Sequence, residues 1–428
     1  MKRTLRVAAV AAAACGLWGW LAPAVAQEAV PPQAVDLAAV VGLVRDVSPR
    51  LAAERQSVAI AETERIGAAA YPNPTVGYSY FRPGGGAQTV FEGNRQQQFG
   101  VELPVLVGGQ RAARMDAAER GVDAARARVL AGSSTLTAEA AGGYVDLLAA
   151  QEQVGLYAAA LDELTRLRTI IVGRESSGVA SRYDVTRIEV ELGGTRAKLE
   201  EARARVADRA GTLAALLGFP RWRPRAQGTL APLDIEAPAT AAATGRAASS
   251  PATLAAVREE EAARAGIEVA KRERIPTPTF SLGRTWTNDP FGAANFAGVS
   301  VEIPILDNRR GPQAKAEAQA IQANLRRQLV EAETAANLDR LAQVISLRKS
   351  SLEQFERESA QRIPGLKQMA EDAYRLGRGS ILELLDAVRS RYELQLARVD
   401  LAAALLDAQV RYLALSGDLG KRLDGAAR

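Results

Sequence analysis

The sequence predicts a mainly α fold with a small β part, built from a tandem structural repeat. Three observations carry this expectation. Long proline-free stretches place apolar residues every seven positions, short alternating stretches are bounded by prolines, and both recur in the same order about 200 residues later. Hydrophobic residues make up 47% of the 428, aromatic residues only 5%, and alanine dominates, which suits long, closely packed helices better than a thick mixed core.

Residues 1–26 read as a signal peptide. Lys2, Arg3 and Arg6 form a basic start, Val7 to Val25 carries no charge, and Ala24-Val25-Ala26 gives a small-x-small cleavage pattern before Gln27. A retained anchor fits less well, because the apolar core is short and Pro23 interrupts it. Cys15, preceded by Ala12-Ala13-Ala14, offers lipidation as an alternative, at the cost of an apolar region of only Val7 to Ala14. Cleavage removes the only cysteine, leaving neither a disulfide nor thiolate chemistry. Loss of the three basic residues lowers the formal net charge from +5 to +2, so the basic balance is no argument for nucleic acid as a partner. No later stretch offers about 18 uncharged apolar residues, and no membrane-spanning helix is expected.

The remainder is written twice. Tyr71-Pro72-Asn73-Pro74-Thr75-Val76 recurs as Ile275-Pro276-Thr277-Pro278-Thr279-Phe280, 204 residues on. Val101-Glu102-Leu103-Pro104-Val105-Leu106 recurs as Val301-Glu302-Ile303-Pro304-Ile305-Leu306, 200 on, and Gly178 and Gly218 recur as Gly377 and Gly417, both 199 on. The first copy is assigned to 27–218 and the second to 252–417. Between them, 219–251 holds Pro220, Pro224, Pro232, Pro238 and Pro251 amid Ala, Thr and Gly, and reads as an extended connector over the surface. The tails at 27–35 and 418–428 read as poorly ordered.

Each copy holds one expected β-hairpin. In copy one Val76, Tyr78 and Tyr80 alternate within a strand over about 74–82, and a second strand over about 96–104 follows Gly84-Gly85-Gly86. In copy two, strands over about 279–286 and 296–304 flank Asn288-Asp289-Pro290. Prolines at the outer ends of all four suit strand boundaries. Tyr78, Tyr80, Trp286, Phe291 and Phe296 fall on or beside these strands, as an interfacial aromatic girdle or as turn-packing side chains.

Everything else is helical in pattern. The first copy predicts helices over about 108–176 and 180–217, the second over about 312–376 and 380–416. Met115, Val122, Val129 and Leu136 recur by sevens, then Leu147, Val154 and Leu161, with Ala150, Tyr157, Leu164 and Ile171 beside them. The step of eleven from Leu136 to Leu147 is a stutter that contains Gly142-Gly143. The return helix carries Val185, Leu192, Leu199, Val206 and Leu213. In copy two Leu338, Ile345 and Leu352 pair with Leu341 and Phe355, and Leu385, Tyr392, Val399, Leu406 and Leu413 line the return. These are antiparallel coiled-coil seams. A helix of about 65 residues extends roughly 100 Å. Pro364, inside the second long helix, should kink it, as a hinge or as a taper.

Four strands cannot close a barrel, and an open sheet leaves its edges unpaired. In a membrane every backbone polar group needs a partner, so closure would be obligatory. Three chains supply twelve strands, an even number within the known range, whereas two supply eight, which side chains largely fill. A homotrimer is the smallest assembly that leaves a lumen.

With Pro72-Asn73-Pro74 before the first strand and Val101-Glu102-Leu103-Pro104-Val105-Leu106-Val107-Gly108-Gly109-Gln110-Arg111 entering the first long helix, the chain resembles the TolC-type outer-membrane factor family. Tyr374-Arg375-Leu376-Gly377-Arg378-Gly379-Ser380 followed by Leu382-Glu383-Leu384-Leu385-Asp386 carries the same resemblance, which covers residues 36 to 417. Gly108-Gly109-Gln110-Arg111-Ala112-Ala113-Arg114 is most similar to the CzcC-like branch of heavy-metal cation efflux. The resemblance implies a trimeric 12-stranded β-barrel in the outer membrane of a Gram-negative bacterium. It further implies a periplasmic 12-helix α-barrel docked to a periplasmic adaptor and an inner-membrane pump, for this branch of the RND type.

Three residues are the first candidates for function. Glu383 and Asp386 are three apart and share one helix face. A trimer would gather their carboxylates in a ring that concentrates cations; the plainer alternative is a solvated acidic face. By resemblance, these two positions narrow the periplasmic entrance and Tyr374 helps hold it shut. Gly379 stands where the family's best-known member has a gate-locking arginine, with Arg378 or Arg375 as substitutes. Copy one has Asp184 and Arg187 at the equivalent places, so opening is expected as an outward rotation of the second hairpin, 312–417. The turns Ser177-Gly178-Val179-Ala180-Ser181 and Leu376-Gly377-Arg378-Gly379-Ser380 are candidate adaptor contacts. Glycine to end one helix and serine to cap the next explain the same residues structurally.

The sequence argues against an enzyme. The absence of histidine and of a mature cysteine removes the usual nucleophile-base pairs and His/Cys metal sites. Gly-Gly-Gln-Arg follows a strand but lacks the lysine or third glycine of a phosphate-cradling loop. No cofactor or resident metal is expected. The alternatives are the same fold serving drug efflux or type I protein secretion, and a periplasmic adaptor or coiled-coil scaffold. Two copies that each carry their own strands disfavour the latter.

Overall fold

The computed structural model describes residues 31–82, 95–235, 241–287, 292–360, 363–420 and 422. The expected signal peptide, Cys15 and Phe291 lie outside them. The chain runs β1 (Ala34–Val35), α1 (Leu37–Asp46), α2 (Pro49–Ala69), β2 (Thr75–Phe81), β3 (Gln96–Pro104), α3 (Gln110–Ser176) and α4 (Arg182–Leu217). It continues through β4 (Arg225–Ala226), α5 (Ala241–Ala248), α6 (Pro251–Arg272), β5 (Pro278–Thr287), β6 (Ala293–Val301) and α7 (Arg310–Phe355). A π-helical turn (Glu356–Ala360), α8 (Ile363–Arg375) and α9 (Ile381–Ser416) complete it. No helix among the described residues is long and apolar enough to cross a membrane.

Helix α3 is unbroken over 67 residues, about 100 Å, because nothing in it interrupts the hydrogen-bond ladder. Its stutter is absorbed without a break, and the paired glycines inside it permit close approach. A Cβ on Gly142 would come within 3.2 Å of Asp407 Oδ1 on α9, and one on Gly143 within 3.4 Å of Leu213 Cδ1 on α4. The seam residues Leu136, Leu147, Leu213, Leu338, Ile345, Val399, Leu406 and Leu413 meet in one core. Features recur along the chain in pairs. Gly218 and Gly417 end α4 and α9 in the left-handed conformation. Each lies against the proline that opens α2 or α6: added Cβ atoms would sit 3.2 Å from Pro49 Cδ and 3.1 Å from Pro251 Cδ.

Helices α6 and α7 are joined by a buried charge. Glu260, 5% exposed, accepts from Asn324 Nδ2 at 2.8 Å and Arg327 Nε at 2.6 Å, and also pairs with Arg264. The Asn324 hydrogen bond and the guanidinium groups hold its carboxyl below the usual carboxylate range. A depressed folded value means the stabilisation is complete above the ordinary value of 4.5 and is lost as pH falls through the folded value. Glu260→Gln is therefore expected to cost about 1–3 kcal/mol at neutral pH. In thermal melts the gap from the parent should close as the medium is acidified.

Three sequence expectations are corrected. The second long helix was expected over 312–376 with a kink at Pro364, but the break begins earlier, at Glu356–Ala360, where the ladder widens to a π turn. Pro364 is the second residue of α8, where a missing N–H leaves no bond unmade. The last strand spans Ala293–Val301 instead of 296–304, because β5 starts at Pro278, which pairs with Val301, so nothing faces residues beyond it. The connector is not draped over the surface. Phe219, Trp222, Ala226, Leu230 and Ile235 are buried in the main core, and β4 pairs in parallel with β1, so residues 31–35 of the expected loose tail are built in. Trp222 Nε1 donates to Pro32 O at 2.9 Å. Two glutamines grip connector backbone on both sides of one residue. Gln151 of α3 bonds Ala226 N and O at 2.9 Å each, and Gln409 of α9 bonds Leu233 N and O at 2.8 Å each. Leu419 is buried as well, so the C-terminal tail also begins in the core.

The four long strands form one antiparallel sheet in the order β2-β3-β5-β6, the two hairpins joining through β3 and β5. Register and alternation sort its side chains. One face carries Val76, Tyr78, Tyr80, Phe99, Val101, Leu103, Phe280, Leu282, Trp286 and Val299, with Gln97, Arg284 and Asn295 toward the end away from the helices; the other carries Ser79, Gln96, Gln98, Glu102, Ser281, Thr285 and Ser300, with Phe81 and Phe296 among them. Along β5 the apolar residues Phe280, Leu282 and Trp286 are exposed, together with Arg284, whereas Thr279, Ser281, Thr285 and Thr287 are half-buried, largely the reverse of a water-soluble sheet. Phe296 departs from the aromatic-girdle expectation. It lies on the polar face, where Gly77, Gly100 and Gly283 form one row with it, and a Cβ on Gly283 would overlap its ring.

Candidate functional site at the helical tip

At the end of the helices farthest from the sheet, two turns are built alike. In the first, Gly178 has φ of 76°, its N–H donates to Glu175 O at 2.9 Å, and Val179 N donates to Arg174 O at 2.8 Å. In the second, Gly377 has φ of 69°, its N–H donates to Tyr374 O at 3.1 Å, and Arg378 N donates to Ala373 O at 2.9 Å. Both satisfy the last carbonyls of the incoming helix with a left-handed glycine. Ser181 and Ser380 then cap α4 and α9, each in a reciprocal box with the acid three residues on, Asp184 or Glu383. Gly379 has little room for a side chain, since a Cβ would stand 3.1 Å from both Ala373 Cβ and Glu383 Oε2. Ala180 is half-buried, whereas Val179, Tyr183, Leu376 and Leu382 are well exposed apolar groups around these turns.

The two hairpins share one core here. Leu164, Leu167 and Ile171 of α3 and Ile188 and Leu192 of α4 pack with Tyr374 of α8 and Ile381, Leu384, Leu385, Val388 and Tyr392 of α9. Polar contacts cross the same seam. Arg389 Nη2 meets Glu191 Oε2 at 2.6 Å, Arg391 Nη1 meets Glu163 Oε2 at 2.8 Å, and Arg174 Nη1 donates to Arg375 O at 3.0 Å. Lys198 sits 5.7 Å from the Tyr392 ring centroid. These four cations lie beside seam positions, where interhelical ion pairs form. The heptad pattern marks such flanking places without revealing which helix lies opposite.

The candidate residues do not form one cluster. Tyr374 is 7% exposed, Arg174 lies over its ring at 5.1 Å, and its hydroxyl has no hydrogen-bond partner among the described residues. Burial, with the nearby Asp184 carboxylate, pushes its phenol pKa up, so it stays a neutral donor. Tyr392 is raised for the same kind of reason, burial first and then Glu191. Glu383 and Asp386 are both exposed and line an open groove with Arg187 and Arg389. Glu383 also accepts from Ser380 N at 3.1 Å, so its cap explains the acid there, as it does for Asp184. The two hairpins differ at the next position on that face, Arg187 in one and Asp386 in the other. Among the described residues no group of three His, Cys, Asp or Glu side chains is placed to hold a metal ion.

Residues 40–219 match the outer membrane efflux protein family. The chain is 26% identical over 322 residues to the cobalt-zinc-cadmium resistance protein CzcC of Cupriavidus metallidurans, covering 74% of this chain and 72% of that protein. It is 26% identical over 343 residues to the pyoverdine export outer membrane protein OpmQ of Pseudomonas putida, covering 77% and 71%. Among solved structures, the outer membrane protein VceC of Vibrio cholerae shares the fold, with a TM-score of 0.74 at 17% identity over 90% of this chain and 96% of that one.

Proposed function

We propose that the chain is a member of the outer membrane efflux protein family, whose model residues 40–219 match, and that three copies form a passive exit channel from periplasm to exterior. The observation that carries this is the inverted pattern of the two inner strands: Phe99, Phe280, Leu282 and Trp286 are exposed on one face, Gln96, Gln98, Ser281 and Thr285 are half-buried on the other, and both edge strands, β2 and β6, are unpaired in one chain. Three copies joined edge to edge would give twelve strands, apolar toward lipid and polar toward a lumen. The paired caps and turns favour a duplicated chain whose helices build the periplasmic cylinder. The tips, Gly178 to Ser181 and Gly377 to Ser380, are the docking points for a periplasmic adaptor, and their exposed Val179 and Leu376 supply apolar contact. An RND-type inner-membrane pump would drive transport.

Heavy-metal cations are the favoured cargo, supported by the likeness to CzcC and by the exposed carboxylates at the tip. The likeness to OpmQ supports a second reading, export of a small organic molecule through the same fold. Membrane fractionation and the mass of the gently solubilised assembly test the channel itself. A protein soluble after lysis, or one that stays monomeric, overturns it. Glu383→Gln with Asp386→Asn keeps the helix cap and removes the charge. In planar bilayers the pair is expected to lower cation-over-anion preference severalfold; unchanged preference removes these residues from the entrance.

A further inference from the structure

Only two of the residues in the four long strands are charged, Glu102 on the polar face and Arg284 on the apolar one. A lone arginine on a surface otherwise made for hydrocarbon is costly at the membrane midplane and tolerable near an interface. Its position explains it. From the open end of the sheet, the last full row on the apolar face is Tyr80, Gln97, Trp286 and Ala293, and the next is Tyr78, Phe99, Arg284 and Asn295. Arg284 Cζ lies 5.7 Å from the Trp286 ring centroid, so the side chain leans toward the open end, away from the helices. Continuing the alternation one residue past the ladder puts Arg82 and Arg95, both exposed, on this same face at the rim. The rows toward the helices, from Val76, Val101, Leu282 and Ala297 onward, carry no charge. Basic and aromatic groups thus crowd one rim of an apolar wall.

We infer that this rim binds the phosphate groups of an anionic glycolipid, the bisphosphorylated lipid A type of amphiphile, in the outer leaflet. The inference rests on the channel reading, which sets the apolar face against lipid and the hairpin ends outside. Arginine suits the task, because its planar fork pairs two phosphate oxygens while its stem stays in hydrocarbon. The guanidinium lies against the Trp286 ring, and acyl chains would lie on Leu282 and Val299. The ligand is therefore held at both ends by chemistry already on the wall.

The test uses the full mature channel in detergent, with binding of bisphosphorylated lipid A and of its dephosphorylated counterpart read by native mass spectrometry. The parent protein is expected to retain the phosphorylated lipid about tenfold more strongly. Arg95→Gln with Arg284→Gln should abolish that preference, and Arg95→Lys with Arg284→Lys should restore most of it. Single-channel conductance verifies that each variant is assembled. Equal binding of the two lipids by a conducting parent channel, or an undiminished preference in the glutamine pair, overturns the inference while the channel stands. A protein that is soluble without detergent and binds neither lipid overturns the channel reading itself.

Discussion

Trp222→Ala is expected to destabilise the protein by about 4 kcal/mol, the middle of the range for removing a large buried aromatic. The indole is 2% exposed, packs edge-on against Phe219 at 6.2 Å, and ties the connector to the N-terminal segment through Pro32 O. Removal opens a cavity in the main core between the connector and the N-terminal segment, and little around it can collapse, because the long helices that share this core are fixed along their seams. Trp222→Phe keeps most of the apolar contact, loses the hydrogen bond, and should cost about 1–2 kcal/mol. Thermal unfolding of the detergent-solubilised protein, followed by far-ultraviolet circular dichroism, separates the two. If alanine costs no more than phenylalanine, the connector does not belong to the cooperative core.

The second large effect concerns the tip. If the entrance opens by outward rotation of the second hairpin, that motion would part Arg389 from Glu191 and Arg391 from Glu163 and open the apolar cluster beneath them. The carboxylates are 11% and 9% exposed, whereas the guanidinium groups are 39% and 27% exposed, so solvent screens each pair and about 1–1.5 kcal/mol apiece is the reasonable scale. Each loss then shifts the closed-to-open ratio by about tenfold, and the two together by about a hundredfold if they act independently. Arg389→Ala with Arg391→Ala is therefore expected to turn a mostly closed channel into one with long open dwell times in planar bilayers. Dwell times and conductance equal to the parent's would mean that the apolar cluster alone holds the entrance.

Much of the architecture was legible because it rests on periodicity. The sevens that run through Leu385, Tyr392, Val399, Leu406 and Leu413 are all buried, and glycines at 178, 218, 377 and 417 end helices as left-handed residues must. The connector escaped because its buried residues have no period and its prolines resemble those of any loop. Its anchors, Gln151 and Gln409, look like ordinary polar residues on helices until the chain opposite them is known. The π turn has no sequence signature, and Pro364 drew the expected break several residues too far along. At the tip, Tyr374 stood out by resemblance alone; its burial follows from the packing of α8 on the first hairpin, which the sequence does not display. The cross-hairpin ion pairs were not legible, because a carboxylate at 191 and a guanidinium at 389 become partners only when α4 and α9 are brought side by side.

The two glutamine grips have an evolutionary consequence. Each holds only main-chain N–H and C=O groups, so the side chains at 226 and 233 contribute nothing to it. Many amino acids could occupy those places without loosening the hold, and proline alone would cancel it by deleting the donor. The grip itself thus tolerates drift at the held positions, which only the packing of buried side chains such as Ala226 restrains, while a change at residue 151 or 409 releases the main chain. Selection should weigh on the helices that do the holding, and on the held stretch only through its packed side chains.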